Sequence, residues 1–319
     1  MRRRRNSFYA LRRGIRLVLA AASLAGCASD GLRSYADRAG ITSTTELSAT
    51  PFFAQTENHC GPAALATVLS YSGVPATPAT IAPRLFTPAL KGSLQAEMLA
   101  TTRSHGRIAY QLPRRLDALA REIAAGRPVV VLQNLATLGP PQWHYAVVIG
   151  IDVSNQHVIL RSGLEQRLVM PAHAFNRSWQ LAGRWALIAL VPGDLPAELD
   201  RVRYLSAVAD MAEQQSWSPA ARAWRAALEV WDKDLTALVG LANALYASGD
   251  VDGATQNLRR AVKAHPLSAQ AHNNLAFLLG ETHAWPEAIA HALRAIELGG
   301  SQLKEFQRTL AELQRKAAS

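Results

Sequence analysis

Cys60 and His144 are a thiol and an imidazole, the two side chains needed for nucleophilic chemistry on a carbonyl. Cys60 opens the stretch Cys60-Gly61-Pro62-Ala63-Ala64-Leu65. Glycine permits a tight approach there, and proline suits a first helical turn, where its missing N–H costs nothing. Leu65, Val68 and Leu69 continue with helical spacing, so Cys60 is predicted at a helix N-terminus, whose N–H groups and dipole favour a thiolate. A lone cysteine in a secreted chain is a liability, an intermolecular link or a reactive thiol. The commoner fate of a cysteine is burial as a small hydrophobe, against which the polar neighbours Glu57, Asn58 and His59 argue. The only other cysteine, Cys27, is too far along the chain for a Cys-x-x-Cys ligand set, so neither a metal nor another cofactor is expected.

A cysteine nucleophile needs a base, and nine histidines are available. His59 adjoins Cys60, but neighbouring side chains at a turn rarely face each other. His105 lies in a loop-like Ser-His-Gly, while His157 and His173 border β-like segments and read as surface residues. His144 begins the apolar run Tyr145-Ala146-Val147-Val148-Ile149, the rigid strand end that an imidazole of fixed orientation requires.

Gln55, then His59-Cys60-Gly61-Pro62-Ala63-Ala64-Leu65, then His144-Tyr145-Ala146-Val147-Val148 together resemble papain-like cysteine peptidases of the bacteriocin-processing, double-glycine-leader type. The resemblance spans residues 50–192. It implies Cys60 as nucleophile, His144 as general base and acid, and Gln55 as an oxyanion donor beside the Cys60 backbone N–H. The family generally sets an Asp or Asn on the next strand to orient the imidazole. Here Val158-Ile159-Leu160 runs instead into Arg161-Ser162-Gly163. Asp152 is the nearest carboxylate and is taken as third member, with Ser162 as the alternative and Asn155 a weaker choice.

The elements that must position these groups are short. Val129–Leu132, Tyr145–Ile149, Val158–Leu160, Arg167–Met170 and Ala186–Val191 read as strands after a helical opening, an α+β pattern. Pro192-Gly193-Asp194-Leu195-Pro196 closes that region. Beyond it, Ala220, Ala254 and Ala288 recur every 34 residues, as do Ala227, Ala261 and Ala295. This period resembles the tetratricopeptide repeat, whose stacked helix pairs bind proteins. The fold class these resemblances imply is an α+β papain-like cysteine peptidase domain followed by an all-α tetratricopeptide-repeat solenoid. The expected division is a signal at 1–26, a tether at 27–49, the peptidase domain at 50–192, a linker at 193–201 and repeats with a capping helix at 202–319.

The first residues pair a run containing seven arginines with the apolar Leu17–Ala25, the pattern of a secretory signal. Leu24-Ala25-Gly26-Cys27 resembles a bacterial lipoprotein cleavage site, which implies lipid on Cys27 and, with Ala28 following, an outer-membrane protein facing the periplasm. The whole sequence carries 34 basic and 24 acidic residues, a net +10; without those seven arginines 27 remain against 24, or +3. No concentrated basic patch remains, so nucleic acid is not an expected partner. The expected partners are a peptide or protein substrate, a protein on the repeats and the membrane. A cysteine peptidase is the leading expectation, a non-catalytic peptide binder the main alternative, and an acyl transferase a third.

Overall fold

The computed structural model describes residues 32–55, 59–90, 92–136 and 138–318. The expected signal, Cys27, Glu57 and Asn58 lie outside the described residues. Helix α1 (Leu32–Arg38) leads to β1 (Thr45–Glu46), α2 (Cys60–Tyr71), α3 (Pro78–Leu85) and α4 (Gln95–Ser104). Then come β2 (Ile108–Gln111), α5 (Leu116–Ala124), β3 (Val129–Asn134), β4 (Trp143–Asp152), β5 (His157–Ser162), β6 (Glu165–Pro171), α6 (Ala172–Leu181) and β7 (Ala186–Leu190).

The seven strands form one antiparallel sheet, ordered β2-β7-β3-β4-β5-β6, with β1 added along the far end of β4. Both faces are covered. Val130, Leu132, Tyr145, Val147 and Ile149 pack toward α2–α4, through Leu65, Leu69, Ile81 and Met98. Val129, Val131, Ala146, Val148 and Leu160 pack the other way, toward Leu119 and Ile123 of α5 and Phe175 and Trp179 of α6. Burial on both sides explains why β3 and β4 read as unbroken apolar runs rather than alternating ones.

From Leu32 onward the expected tether is a folded part of the domain. Leu32, Ala36 and Ile41 are buried in the core, because Leu32, Tyr35, Ala36 and Ala39 share one helical stripe and find a hydrophobic face to cover. β1 then pairs Thr45 with Ile151 and Glu46 with Gly150. A Cβ on Gly150 would stand 2.8 Å from the Thr45 carbonyl oxygen and 3.2 Å from the Glu46 Cα. Gly150→Ala is expected to push β1 off the sheet and cost about 1–3 kcal/mol, the usual penalty of overpacking. Thermal unfolding measures this, and an unchanged melting temperature would rule out the β1–β4 pairing.

The remaining helices are α7 (Arg201–Ala212), α8 (Trp217–Val230), α9 (Leu235–Ala247), α10 (Val251–Ala264), α11 (Ala269–Glu281), α12 (Trp285–Leu298) and α13 (Leu303–Ala317), making thirteen α-helices among the described residues. The leading helices of the three pairs start at Arg201, Leu235 and Ala269, the 34-residue spacing of the sequence. Ala220, Ala254, Ala288, Ala227, Ala261 and Ala295 are all fully buried. Small side chains at those points allow helix backbones to approach, which is the physical origin of the period. Helix α13 buries Phe306 and Leu313 and leaves most of its other residues exposed, as a terminal cap does. The repeats meet the sheet domain through Tyr110, whose hydroxyl donates to the Glu198 carbonyl at 2.6 Å and accepts from the Asp200 N–H at 3.2 Å. Among the described residues, no helix is long and apolar enough to cross a membrane.

Candidate active site

Cys60 is the first residue of α2 and is partly buried. Residues Gly61 to Leu69 behind it are buried without a break, so the helix is wedged against the sheet and its first turn is held firmly. Gly61 is needed for close approach: a Cβ there would lie 2.5 Å from Ser93 Oγ. Tyr145 fixes the same point from below, donating its hydroxyl to the Ser93 carbonyl at 3.3 Å and meeting Trp185 edge-on at 5.7 Å.

Burial pushes the Cys60 thiol up from its ordinary value, although backbone N–H groups of Tyr145, Gly61 and Cys60 oppose this by favouring the thiolate. Desolvation, the largest influence on this thiol, therefore works against the thiolate that the helix end favours. The contact with the Tyr145 N–H carries the more important information. It places the sulfur beside the backbone of the residue following His144.

His144 is the second residue of β4, opposite Gln133 of β3. Its Nε2 lies 2.8 Å from Ser162 Oγ at the end of β5, and Ser162 is buried. The register places Val147 opposite Arg161, so His144 and Ser162 are diagonal neighbours across the β4–β5 ladder. Burial pulls the His144 pKa down, favouring the neutral ring. Gln55 arrives from the other side of the site. Its backbone N–H donates to the Gly163 carbonyl, and its Oε1 accepts from the Gly163 N–H, both at 3.0 Å. This pair of bonds turns Nε2 toward Tyr145, whose carbonyl it meets at 3.4 Å.

Cys60, His144, Gln55 and Ser162 therefore gather around Tyr145 and the β5–β6 turn. Asp152 does not join them. It ends β4, eight residues beyond His144 and about 26 Å away at ~3.3 Å per residue. There it accepts from the Asn155 backbone N–H at 3.0 Å and from Asn155 Nδ2 at 2.9 Å, a local turn bond. The assignment of Asp152 as third member is corrected, and Asn155 falls with it; a straight strand carries its two ends apart. His59 stacks on Phe86 with ring centres 4.8 Å apart, and His105 Nδ1 closes α4 at 2.8 Å from the Thr101 carbonyl.

Two contributors escaped sequence reasoning. One is the Tyr145 N–H, a backbone group with no residue-type signal. The other is Arg161, buried on β5 beside Ser162, whose guanidinium donates to the carbonyls of Ser48, Thr50 and Gln166. A charged residue directly before a buried strand end was the available clue. Among the described residues, no group of three or more His, Cys, Asp or Glu side chains is arranged to hold a metal ion.

An antiparallel sheet flanked by helices, with a thiol at a helix start and an imidazole at a strand start, defines a cysteine-peptidase-like domain; helical repeats follow it. The Peptidase_C39 like family matches residues 47–187, and the tetratricopeptide repeat matches residues 210–256 and 239–302. The chain thus carries a Peptidase_C39-like domain followed by tetratricopeptide repeats. Among solved structures, a chain from Bacillus anthracis described as a C39-like peptidase is similar, with 19% identity and a TM-score of 0.39 over 45% of this chain and 96% of that one. The tetratricopeptide-repeat domain of Sgt2 from Aspergillus fumigatus gives 21% identity and a TM-score of 0.35, over 37% of this chain and 79% of its own. The Yersinia enterocolitica type III secretion translocator chaperone SycD gives 15% and 0.35, over 38% and 90%. No curated protein matches the chain significantly.

Proposed function

We propose that this chain is a cysteine peptidase, anchored through lipid on Cys27 to the outer membrane and facing the periplasm, whose repeats hold a protein partner. The observation that carries the reading is that Cys60 and Gln55 both meet the backbone of Tyr145, the residue after His144, whose ring is bonded to Ser162. In the proposed cycle the Cys60 sulfur attacks the peptide carbonyl carbon while His144 takes the thiol proton. The oxyanion is met by the Cys60 N–H and Gln55 Nε2. His144 then gives its proton to the leaving amine, and the remaining thioester is hydrolysed by water that His144 activates. Ser162 orients the imidazole but supplies no charge.

The non-catalytic binder is kept as a second reading for a specific reason. Burial raises the thiol and lowers the imidazole, so both shifts disfavour the thiolate–imidazolium pair. The pH dependence of Cys60 alkylation tests the two. An assisted thiol shows a reactive plateau near neutral pH that disappears in His144→Ala. In Ser162→Asp a carboxylate faces Nε2 and favours the charged imidazolium, so the His144 pKa rises and the plateau grows, by about one to three powers of ten. A single rise in the alkaline range, unchanged by either substitution, would leave the binder.

A further inference from the structure

We propose that α1 and the exposed side of α6 dock on anionic lipid headgroups, and that this holds the Cys60 end of the sheet away from the membrane. The inference rests on the reading of Cys27 as the lipid anchor and extends it from a point of attachment to a defined face.

The argument starts from how little chain separates the anchor from the folded domain. Leu32 is only 3% exposed and is already part of the core. Five residue steps from Cys27 to Leu32 span at most about 17 Å when fully extended. The surface around Leu32 is thereby held close to the bilayer, whereas a tether reaching residue 49 would have left the domain free to turn.

That surface has the chemistry of a headgroup contact. A groove of about 560 Å³ opens beside Leu32, lined by Tyr35, Gln156, His173, Asn176 and Arg177 among others. Arg33 and Arg177 are exposed, and Arg38 lies 4.6 Å above the Tyr35 ring, also exposed. Of the carboxylates near this end, Asp152 is occupied by Asn155, Glu46 by Arg167 and Asp117 by Arg115, while Asp37 is exposed. A basic side chain near an anionic membrane surface strengthens contact by about a factor of five.

The sheet settles which end points away. Gln156 sits in the turn joining β4 to β5, so the groove is at the Asp152 end of the hairpin. His144 and Ser162 are at the other end, about 26 Å along the strand at ~3.3 Å per residue. Leu138, Trp143 and Leu164 are exposed around that far end and offer the competing apolar contact. The anchor length places them on the aqueous side, where a soluble polypeptide reaches Cys60 without crossing the lipid surface.

The test uses the chain from Cys27 onward with Cys60→Ser, coupled through Cys27 to maleimide-bearing vesicles of phosphatidylethanolamine and phosphatidylglycerol. Hydrogen exchange is followed with and without coupling. The expected result is exchange slowed at least about threefold in α1 and α6, with the 138–142 and 163–165 segments unchanged. Slowing at the latter segments, or at neither end, overturns the proposal. Arg33→Glu combined with Arg177→Glu is expected to abolish the slowing in α6; retained slowing overturns headgroup recognition. Chemical coupling makes the result independent of lipidation in the cell. An unacylated Cys27, seen in the mass of the mature chain, would defeat the anchor reading separately.

Discussion

If the proposed mechanism operates, Cys60→Ala is expected to abolish cleavage, with products formed from a proteome-derived peptide mixture falling to the buffer level, a loss of at least about 10⁴-fold. The size follows from the role assigned to the sulfur, which forms the bond to the acyl group. His144→Ala produces a similar loss, and the double variant loses little more than either alone, because residues acting as one unit are not additive. Fold stability changes by less than about 1 kcal/mol in Cys60→Ala, since alanine suits a helix start and the thiol is only partly buried. Mass spectrometry of the peptides and thermal unfolding together separate chemistry from folding. Cleavage that survives in Cys60→Ala would remove the thiol from the mechanism.

Arg161→Leu is expected to destabilise the domain by about 3–5 kcal/mol, because buried carbonyls lose the donors that satisfy them. Arg161 is only 5% exposed, and its guanidinium donates to the Ser48 carbonyl at 3.0 Å and to the Thr50 carbonyl at 2.9 and 3.2 Å. It also bonds the Gln166 carbonyl. Leucine fills part of the space but leaves three acceptors without a donor, each costing about 1–3 kcal/mol where water does not replace it. The segment released is the one leading to Gln55, so under the proposed mechanism turnover is expected to suffer more than the concentration dependence of binding. Arg161→Lys keeps the charge and restores part of both losses. Equal melting temperatures in the wild type and Arg161→Leu would show that water satisfies those carbonyls.

The repeats illustrate why one half of the chain was more legible than the other. Helix pairs in a solenoid touch mainly their sequence neighbours, so the demand for alanine at each crossing reappears every 34 residues and is visible along the chain. The sheet domain is held by long-range pairings. β2 and β1 were missed because each is short and is stabilised by a partner far away, β7 and the end of β4. Helix α1 was misread because its apolar stripe is only two turns long and has meaning only once a core exists to receive it.

The sequence by itself determined the residue types of the candidate site, Cys60, His144 and Gln55, the helix that presents the thiol, and the order of a mixed domain before repeats. These are local matters of residue chemistry and periodicity. Only the tertiary structure decided that Ser162 rather than Asp152 faces His144, because strand register sets which side chains meet across a ladder. It also brought out the desolvation that opposes a thiolate at Cys60, which depends on everything packed around a sulfur, and the neighbouring residues in the chain are a small part of that.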